Sequence, residues 1–516
     1  MWFTWKKSLI ILVGILMLGG FLRLYKLDNM SLKADEYLGA NIVQGYNQTG
    51  EWKFWDWNKQ ELTDKVYTRG QVYYFQVSQL LNFVSPAEFN LRLISVIWGM
   101  IGIISMFFLG YFYSKNFVIA LLSAFLWAVS ISAITFDRHF RMYAMFAPVY
   151  LILATLAYQF LESVPGKAEN FINKLSARTK LNWNYFIPAF IFLVLSFATH
   201  FLTINIFPVI VIYLLVFTIY EWKKDRQALN KYFWLLLLPL ISLIILALTG
   251  FIGRATEFLG FMENNFGHFN NITTDYSNAL LAVTFFTIGA IGLIKQDLKK
   301  NTWLLLSFLV PFLSAVFIWD RSSGAQYIYL IQTFQTIIIA AGIYFIAKKV
   351  AEVFSIKKWY QFFEKNNSKK FLIMGGVIVY LFSILYNFSY FSNPDSFYQN
   401  NKKWNHSNYR EVFAYYLKHR EDNALLITRN FRNYYYADTN IPVFDFGGEH
   451  QAEKELNLAK IKLLEAQNEA LWIVINDNDF DYIKGDARAY IRENYELIET
   501  TYTGDSMEIW KWVKIN

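Results

Sequence analysis

Asp35 and Glu36 follow closely on the first long apolar segment of the chain, within the string LDNMSLKADEYLGANIVQGY. A carboxylate can take a proton from an attacking hydroxyl. Beside a bilayer a carboxylate is costly unless it is solvated or paired, so an acidic pair in that place reads as functional. The pair also suits a plain structural task, because YLGANIVQGY reads as a helix and acids favour a helix N-terminus.

Three further groups carry chemistry in apolar surroundings. SAITFDRHFRMYAMF holds Asp137, Arg138, His139, Arg141 and Tyr143. ATHFLTIN holds His200, and IWDRSSGAQYIYL holds Asp320, Arg321 and Tyr327. Each has a bland alternative: a salt-bridged turn between helices, or a histidine satisfied within a packed interior. Taken together they fall at the ends of apolar segments on one side of the membrane, as the residues of a site would. The inner loops carry mainly plain lysine runs.

Arginine holds phosphate through its planar fork. A site facing away from ATP and sugar nucleotides needs a donor that arrives in the membrane, and a polyprenyl-phosphate sugar fits. Glycosyl transfer passes through an oxocarbenium-like state with charge growing on the leaving phosphate. Arginine stabilises that charge more than the ground state, which is what catalysis requires.

The elements that position these residues are mostly membrane spans. Of the 516 residues 55% are hydrophobic and 19% aromatic, and only 17% are charged, too few for the surface of a soluble protein of this size. The aromatics suit membrane interfaces. There is no cysteine, which excludes disulfides, thiolate metal sites and cysteine nucleophiles. The net charge of +8 lies largely in short loops, so it reports orientation and not nucleic-acid binding.

Apolar runs of membrane-spanning length predict about eleven transmembrane helices. They fall near 8–25, 90–112, 117–135, 142–161, 184–201, 203–220, 232–250, 277–294, 302–319, 326–347 and 371–390. Lys115, the group from Lys167 to Lys180, the group from Lys223 to Lys231, Lys295 to Lys300 and Lys348 to Lys370 fall on one side. The short connections on the other carry Arg138, Arg141, Arg254 and Arg321. By the positive-inside rule the N-terminus is cytoplasmic, and loop 26–89, loop 251–276 and everything after 391 lie outside.

Residues 1–391 therefore read as a transmembrane domain and 392–516 as an extracytoplasmic accessory domain. In loop 26–89, EWKFWDWN precedes VYYFQVSQLLNFV, an amphipathic stretch that suits either an interfacial helix or one packed on the bundle. After 391 the polar residues return. Helix YREVFAYYLKHR, strands NALLIT and IPVFDF, helix QAEKELNLAKIKLLEAQ, strand LWIVIND and a closing hairpin ELIETTY/MEIWKWVKI predict a soluble α/β domain with a partly parallel sheet. It has no nucleotide-binding glycine motif.

The order and sidedness of these features resemble the C-type fold membrane glycosyltransferases, in particular the protein O-mannosyltransferase-like enzymes and the lipid A aminoarabinose transferases. The resemblance covers roughly residues 8–347. It runs through the Asp35–Glu36 pair, TRGQVYYF, NLRLISVIWGMIG, FDRHFRMYAMF, THF and the Asp320–Arg321 pair ahead of a Tyr-containing late span. It implies that Asp35 is the base, with Glu36 and Asp137 the further acids of the catalytic group. Arg69, Arg138, Arg141, Arg321 and Tyr327 would meet the donor phosphate, and His200, Tyr143 and Asp320 would line the cavity. Gly70 stands where the family usually has Pro.

The expected partners are a polyprenyl-phosphate sugar, the lipid bilayer and a protein, lipid or glycan acceptor, with no nucleic acid. The competing reading is a transporter or flippase of a lipid-linked sugar, which would carry charges along a path through the bundle. No cofactor or metal is assigned, because His268 with Glu263 falls short of the three or four ligands such a site uses.

Overall fold

A computed structural model of the chain describes residues 4–164, 171–226, 229–237, 266–319, 324–356, 367–388, 408–429, 431–437, 439–447, 453–503 and 505–514. In chain order its principal elements are α1 (Trp5–Leu24), α2 (Ala34–Thr49), β1 (Lys53–Asp56), β2 (Glu61–Val66), α3 (Gln71–Leu81), α4 (Glu88–Ser114), α5 (Phe117–Val129), α6 (Ile131–Asp137), α7 (Tyr143–Glu162), α8 (Phe171–Thr179), α9 (Phe186–Thr199) and α10 (Ile206–Asp225). There follow α11 (Gly267–Ile272), α12 (Ala279–Gln296), α13 (Leu298–Phe317), α14 (Ala325–Ile356), α15 (Asn367–Leu385), α16 (Tyr409–His419), β3 (Leu425–Arg429), β4 (Val443–Phe446), α17 (Leu458–Gln467), β5 (Ala470–Asn476), α18 (Gly485–Asn494), β6 (Glu496–Thr503) and β7 (Asp505–Val513). Contacts divide the chain into two compact units, Met1–Tyr25 with Ser95–Phe388, and Lys26–Ile94 with Ser389–Asn516.

The first unit is helical. Among the described residues seven helices are long and apolar enough to cross a membrane, or up to nine if each of two bent pairs is one span; Leu372–Leu385 is a shorter apolar helix. The expected span 232–250 lies largely outside the described residues. The span expected over 117–135 is broken: α5 and α6 meet at 60°. A helix end in apolar surroundings leaves backbone N–H groups in need of partners. Ser130 caps α6 by accepting from the Ala133 N–H at 3.0 Å. The Asp275 carboxylate takes the Ser130 hydroxyl at 2.6 Å and the Ser132 N–H at 2.9 Å. Burial raises the Asp275 carboxyl above its ordinary pKa, and these hydrogen bonds oppose the rise. Elsewhere backbones touch directly. A Cβ on Gly289 of α12 would lie 1.9 Å from the Ile338 carbonyl of α14, a contact that only small residues permit.

The second unit is α/β, with sheet order β4-β3-β5-β7-β6. Strands β4 and β5 run parallel to β3, and β7 runs antiparallel to β5 and β6. Strand β5 is buried along its whole length because both faces are covered. Leu471, Ile473 and Ile475 pack with Ile461, Leu464, Ala487 and Ile491, contributed by α17 and α18. Trp472 and Val474 pack with Val412, Phe413 and Tyr416 of α16.

Residues 53–66 form an antiparallel hairpin that pairs Trp55 with Leu62, a form the sequence pattern did not give. Its turn closes on Asp56, whose Oδ1 accepts from the Asn58 N–H at 2.9 Å and the Lys59 N–H at 3.2 Å. Helix α3 buries Tyr73, Tyr74, Val77 and Ser78 and leaves Phe75 exposed. It starts from Gly70 at φ 65°. Proline is locked near φ −65°, so the departure from the family's Pro answers a local backbone requirement.

Candidate functional site

Lys33 opens α2 in an extended conformation, and Glu36 reaches back from the first turn to accept the Lys33 N–H at 2.9 Å. The same carboxylate takes a fork from Arg92 of α4, Nε to Oε1 at 2.9 Å and Nη2 to Oε2 at 2.9 Å. Arg92 also donates to the carbonyls of Leu27 at 2.9 Å, Met30 at 2.8 Å and Ser31 at 3.1 Å, and so fixes the turn that leads into α2. Glu36 is 1% exposed and Arg92 3%. Asp35 is exposed. Neighbouring side chains on a helix diverge by about 100°, so one acid of the pair can be locked inward while the other faces out. Arg69 belongs to the same unit, is exposed, and has no hydrogen-bond or ion-pair partner among the described residues.

Of the residues expected from the first unit, Asp137, Arg138, Arg141, Tyr143 and His200 lie around the junction of α6 and α7. Asp137 is fully buried. Its Oδ2 takes Arg23 Nε at 2.8 Å and its Oδ1 takes the Tyr329 hydroxyl at 3.0 Å. Arg23 spends its other donors on the carbonyls of Gly19 at 3.2 Å, Ala128 at 2.9 Å and Trp127 at 3.3 Å. Arg138 donates to the carbonyls of Arg23 at 2.8 Å and Tyr25 at 2.6 Å. Phe136 continues the cluster, with its ring 4.5 Å from Tyr329 and 5.9 Å from Tyr143. Tyr143 lies 5.3 Å from His200, ring to ring, and the Arg141 guanidinium lies 5.9 Å from the Tyr143 ring.

Both oxygens of Asp137 are therefore bonded within the protein, and Arg138 gives its Nη1 to two backbone carbonyls. His200 Nδ1 accepts from the Leu202 N–H at 3.1 Å and caps the break between α9 and α10. Tyr327 is half-buried in the first turn of α14. Asp320 and Arg321 lie outside the described residues, as does Glu263. His268 is buried in α11 with its ring 6.5 Å from Trp319, and burial lowers its pKa. Among the described residues no group of three or more His, Asp or Glu is placed to hold a metal ion.

The expected one-sidedness of mixed charge is corrected. At the far end of α7, Glu162 takes Lys231 at 3.3 Å and the Tyr232 hydroxyl at 3.1 Å, and Lys299 pairs with Glu221 at 3.2 Å. Charged side chains pair at both ends of the bundle wherever burial demands it. The sequence reading also missed Arg23, Arg92, Tyr329 and Asp275. A charge inside or at the edge of an apolar span signals a hidden partner, and Arg92 and Arg23 both carry that signal.

Gly99 gives the Asp137 knot its room. A Cβ there would lie 2.4 Å from Asp137 Oδ2, which Arg23 holds in place. Gly99→Ala is expected to destabilise the protein by about 1–3 kcal/mol, the usual cost of overpacking. A lowered unfolding temperature in detergent checks it.

No sequence-family model matches the chain, and no curated protein matches it. Solved structures do match its fold. ArnT from Cupriavidus metallidurans, in the apo state and bound to undecaprenyl phosphate, aligns over 98% of both chains with a TM-score of 0.53 at 11% identity. The oligosaccharyltransferase AglB from Archaeoglobus fulgidus, in complex with an inhibitory peptide and a dolichol-phosphate, aligns over 98% of this chain and 74% of its own, with a TM-score of 0.58 at 12% identity. At such identities the likeness is one of fold: this is the C-type fold of membrane glycosyltransferases, on an integral multi-pass membrane protein with a C-terminal sheet domain.

Proposed function

We propose that the protein is a glycosyltransferase that moves a sugar from a polyprenyl-phosphate donor to an acceptor hydroxyl on the extracytoplasmic face of the membrane. The observation that carries this is the N-terminus of α2, where exposed Asp35 stands beside a Glu36 locked by the Arg92 fork. Asp35 takes the acceptor proton as the acceptor oxygen attacks the anomeric carbon. The bond from that carbon to the phosphate oxygen breaks, and the phosphate leaves with the bonding pair. Glu36 orients the turn that carries the base.

Arg69 is assigned to the donor phosphate, since it is exposed and uncommitted among the described residues. Arg141, Arg321 and Tyr327 are likewise assigned to the donor phosphate, Tyr143, His200 and Asp320 to the donor cavity, and Asp137 with Arg138 to bracing. The N-terminus is assigned to the cytoplasm and residues 392–516 to the outside. A transporter reading gains little, because Arg23, Asp137 and Arg138 are tied to partners within the protein.

The test is transfer of labelled sugar from a panel of polyprenyl-phosphate sugars by the full chain in lipid vesicles. No transfer from any donor, with uptake of the lipid-linked sugar across the bilayer instead, overturns the reading. In the same vesicles Arg69→Ala is expected to weaken undecaprenyl phosphate binding about tenfold or more, since a charge-assisted contact is lost. Arg69→Lys restores part of it, being a point charge without the fork. Unchanged affinity in the Ala variant puts the phosphate elsewhere.

A further inference from the structure

In the C-terminal sheet the chain leaves β3 for β4 on one side and then places β5 on the other. The crevice beyond the carboxyl ends of β3 and β5 is the switch point where open α/β sheets ordinarily take ligands. Here it receives a side chain of the protein itself. Arg432, three residues past β3, holds its guanidinium carbon 4.4 Å from the centre of the Tyr37 ring and 4.5 Å from that of Tyr409. Tyr409 is fixed in turn by the last residue of β5, since Asn476 Nδ2 donates to its hydroxyl at 2.7 Å. Arg432 is 5% exposed and Tyr37 7%. Tyr37 directly follows Glu36 on α2.

A second grip lies five residues earlier in the chain. The Tyr435 hydroxyl accepts the Leu32 N–H at 2.5 Å and donates to Glu88 Oε1 at 3.2 Å. Tyr434 donates to the Pro86 carbonyl at 2.5 Å, and Arg410 pairs with Glu88 and donates to the carbonyls of Asp28 at 3.0 Å and Asn29 at 3.2 Å. One loop after β3 thus holds both flanks of the turn on which Asp35 is exposed.

We infer that Arg432 is a positioning residue for transfer: the C-terminal α/β domain sets the geometry of the Asp35 turn by clamping Tyr37 and Leu32. The inference rests on the reading of Asp35 as the base. Burial raises the Tyr37 hydroxyl above its ordinary pKa although the Arg432 charge and its hydrogen bond to that hydroxyl oppose the rise, so the ring stays neutral. The guanidinium meets both rings face-on and also donates to the Tyr409 hydroxyl at 3.4 Å. An ammonium has no planar face to fill the gap between two rings, so Lys is a poor substitute.

The test uses the full chain in vesicles with two readouts, hydrogen exchange of backbone amides 33–38 and steady-state transfer from whichever donor of the panel the parent protein uses. Arg432→Lys is expected to speed exchange in that segment about tenfold and to lower kcat about tenfold with the donor KM held, because small misplacements of a reacting group cost rate and not binding. Tyr37→Phe keeps the stack, loses the hydroxyl's hydrogen bond to Arg432, and is expected to change exchange at 33–38 less than Tyr37→Leu does. Tyr37→Leu removes the stack from the α2 side, leaves the sheet untouched and reproduces the exchange change, which covers failure of the Arg432 variant to accumulate. Parental exchange at 33–38 in either disrupting variant, or parental kcat per folded Arg432→Lys molecule, overturns the inference. Parental transfer by Asp35→Asn would instead overturn the assignment of the base, and the exchange result is independent of it.

Discussion

Asp35→Asn is expected to lower transfer by about 10²-fold or more, the usual scale for loss of a general base, while undecaprenyl phosphate binding persists. The substitution keeps the shape of the side chain and removes its capacity to hold a proton. Asp35 is exposed at the first turn of α2, so two roles compete, base and helix-end charge. Magnitude separates them. A carboxylate at a surface helix N-terminus is worth roughly 0.3–1 kcal/mol, which shifts an unfolding temperature slightly and leaves catalysis by the folded fraction intact. Parental transfer per folded molecule, with only a small loss of stability, would end the mechanism in favour of the helix-end role. Asp35→Glu separates them further: it keeps the charge at the helix end and moves the proton acceptor, so stability holds and transfer falls.

The second large effect is expected at Arg92. Arg92→Leu leaves Glu36 ionised and buried without its fork, and breaking such a pair from one side typically costs about 3–5 kcal/mol. The variant is expected to accumulate poorly in the membrane. Arg92→Met with Glu36→Leu removes both charges and is expected to recover accumulation, because well-packed apolar replacements of a buried pair are often neutral. Transfer by the double variant should stay low, since the turn into α2 loses its contacts from Arg92 to the Leu27, Met30 and Ser31 carbonyls. Recovery of transfer together with accumulation would reduce the pair to a purely stabilising role. Failure of both would show that the carbonyl contacts, and not the charge pair, hold the fold of this segment.

Much of the architecture was legible from hydrophobic periodicity. Against the eleven expected spans, the described residues contain seven helices long and apolar enough to cross a membrane, or up to nine with the bent pairs, and the alternating strands after residue 408 form the expected partly parallel sheet. Two local features were not legible. The bend at Ser130 depends on Asp275, which is remote in sequence, and nothing in FLWAVSISAIT announces that a carboxylate will arrive there. The 53–66 hairpin was hidden by its aromatics, which suit an interfacial helix as well as a strand, so that composition does not choose between them.

The candidate site divides in the same way. The sequence by itself determined that acids and arginines stand at the ends of membrane spans, because a charge in apolar surroundings is too costly to be there without a task. It could not say which of those charges were already spoken for. That was decided by contacts across long stretches of chain: Glu36 with Arg92, 56 residues away, Asp137 with Arg23, 114 away, and Asp137 with Tyr329, 192 away. Each of these partnerships is fixed by how helices pack, and a local pattern holds no record of it. Asp35 and Glu36 are equivalent as letters. They become different groups only when α4 brings Arg92 against one face of α2, burying one carboxylate in a charge-assisted fork while the other stays exposed.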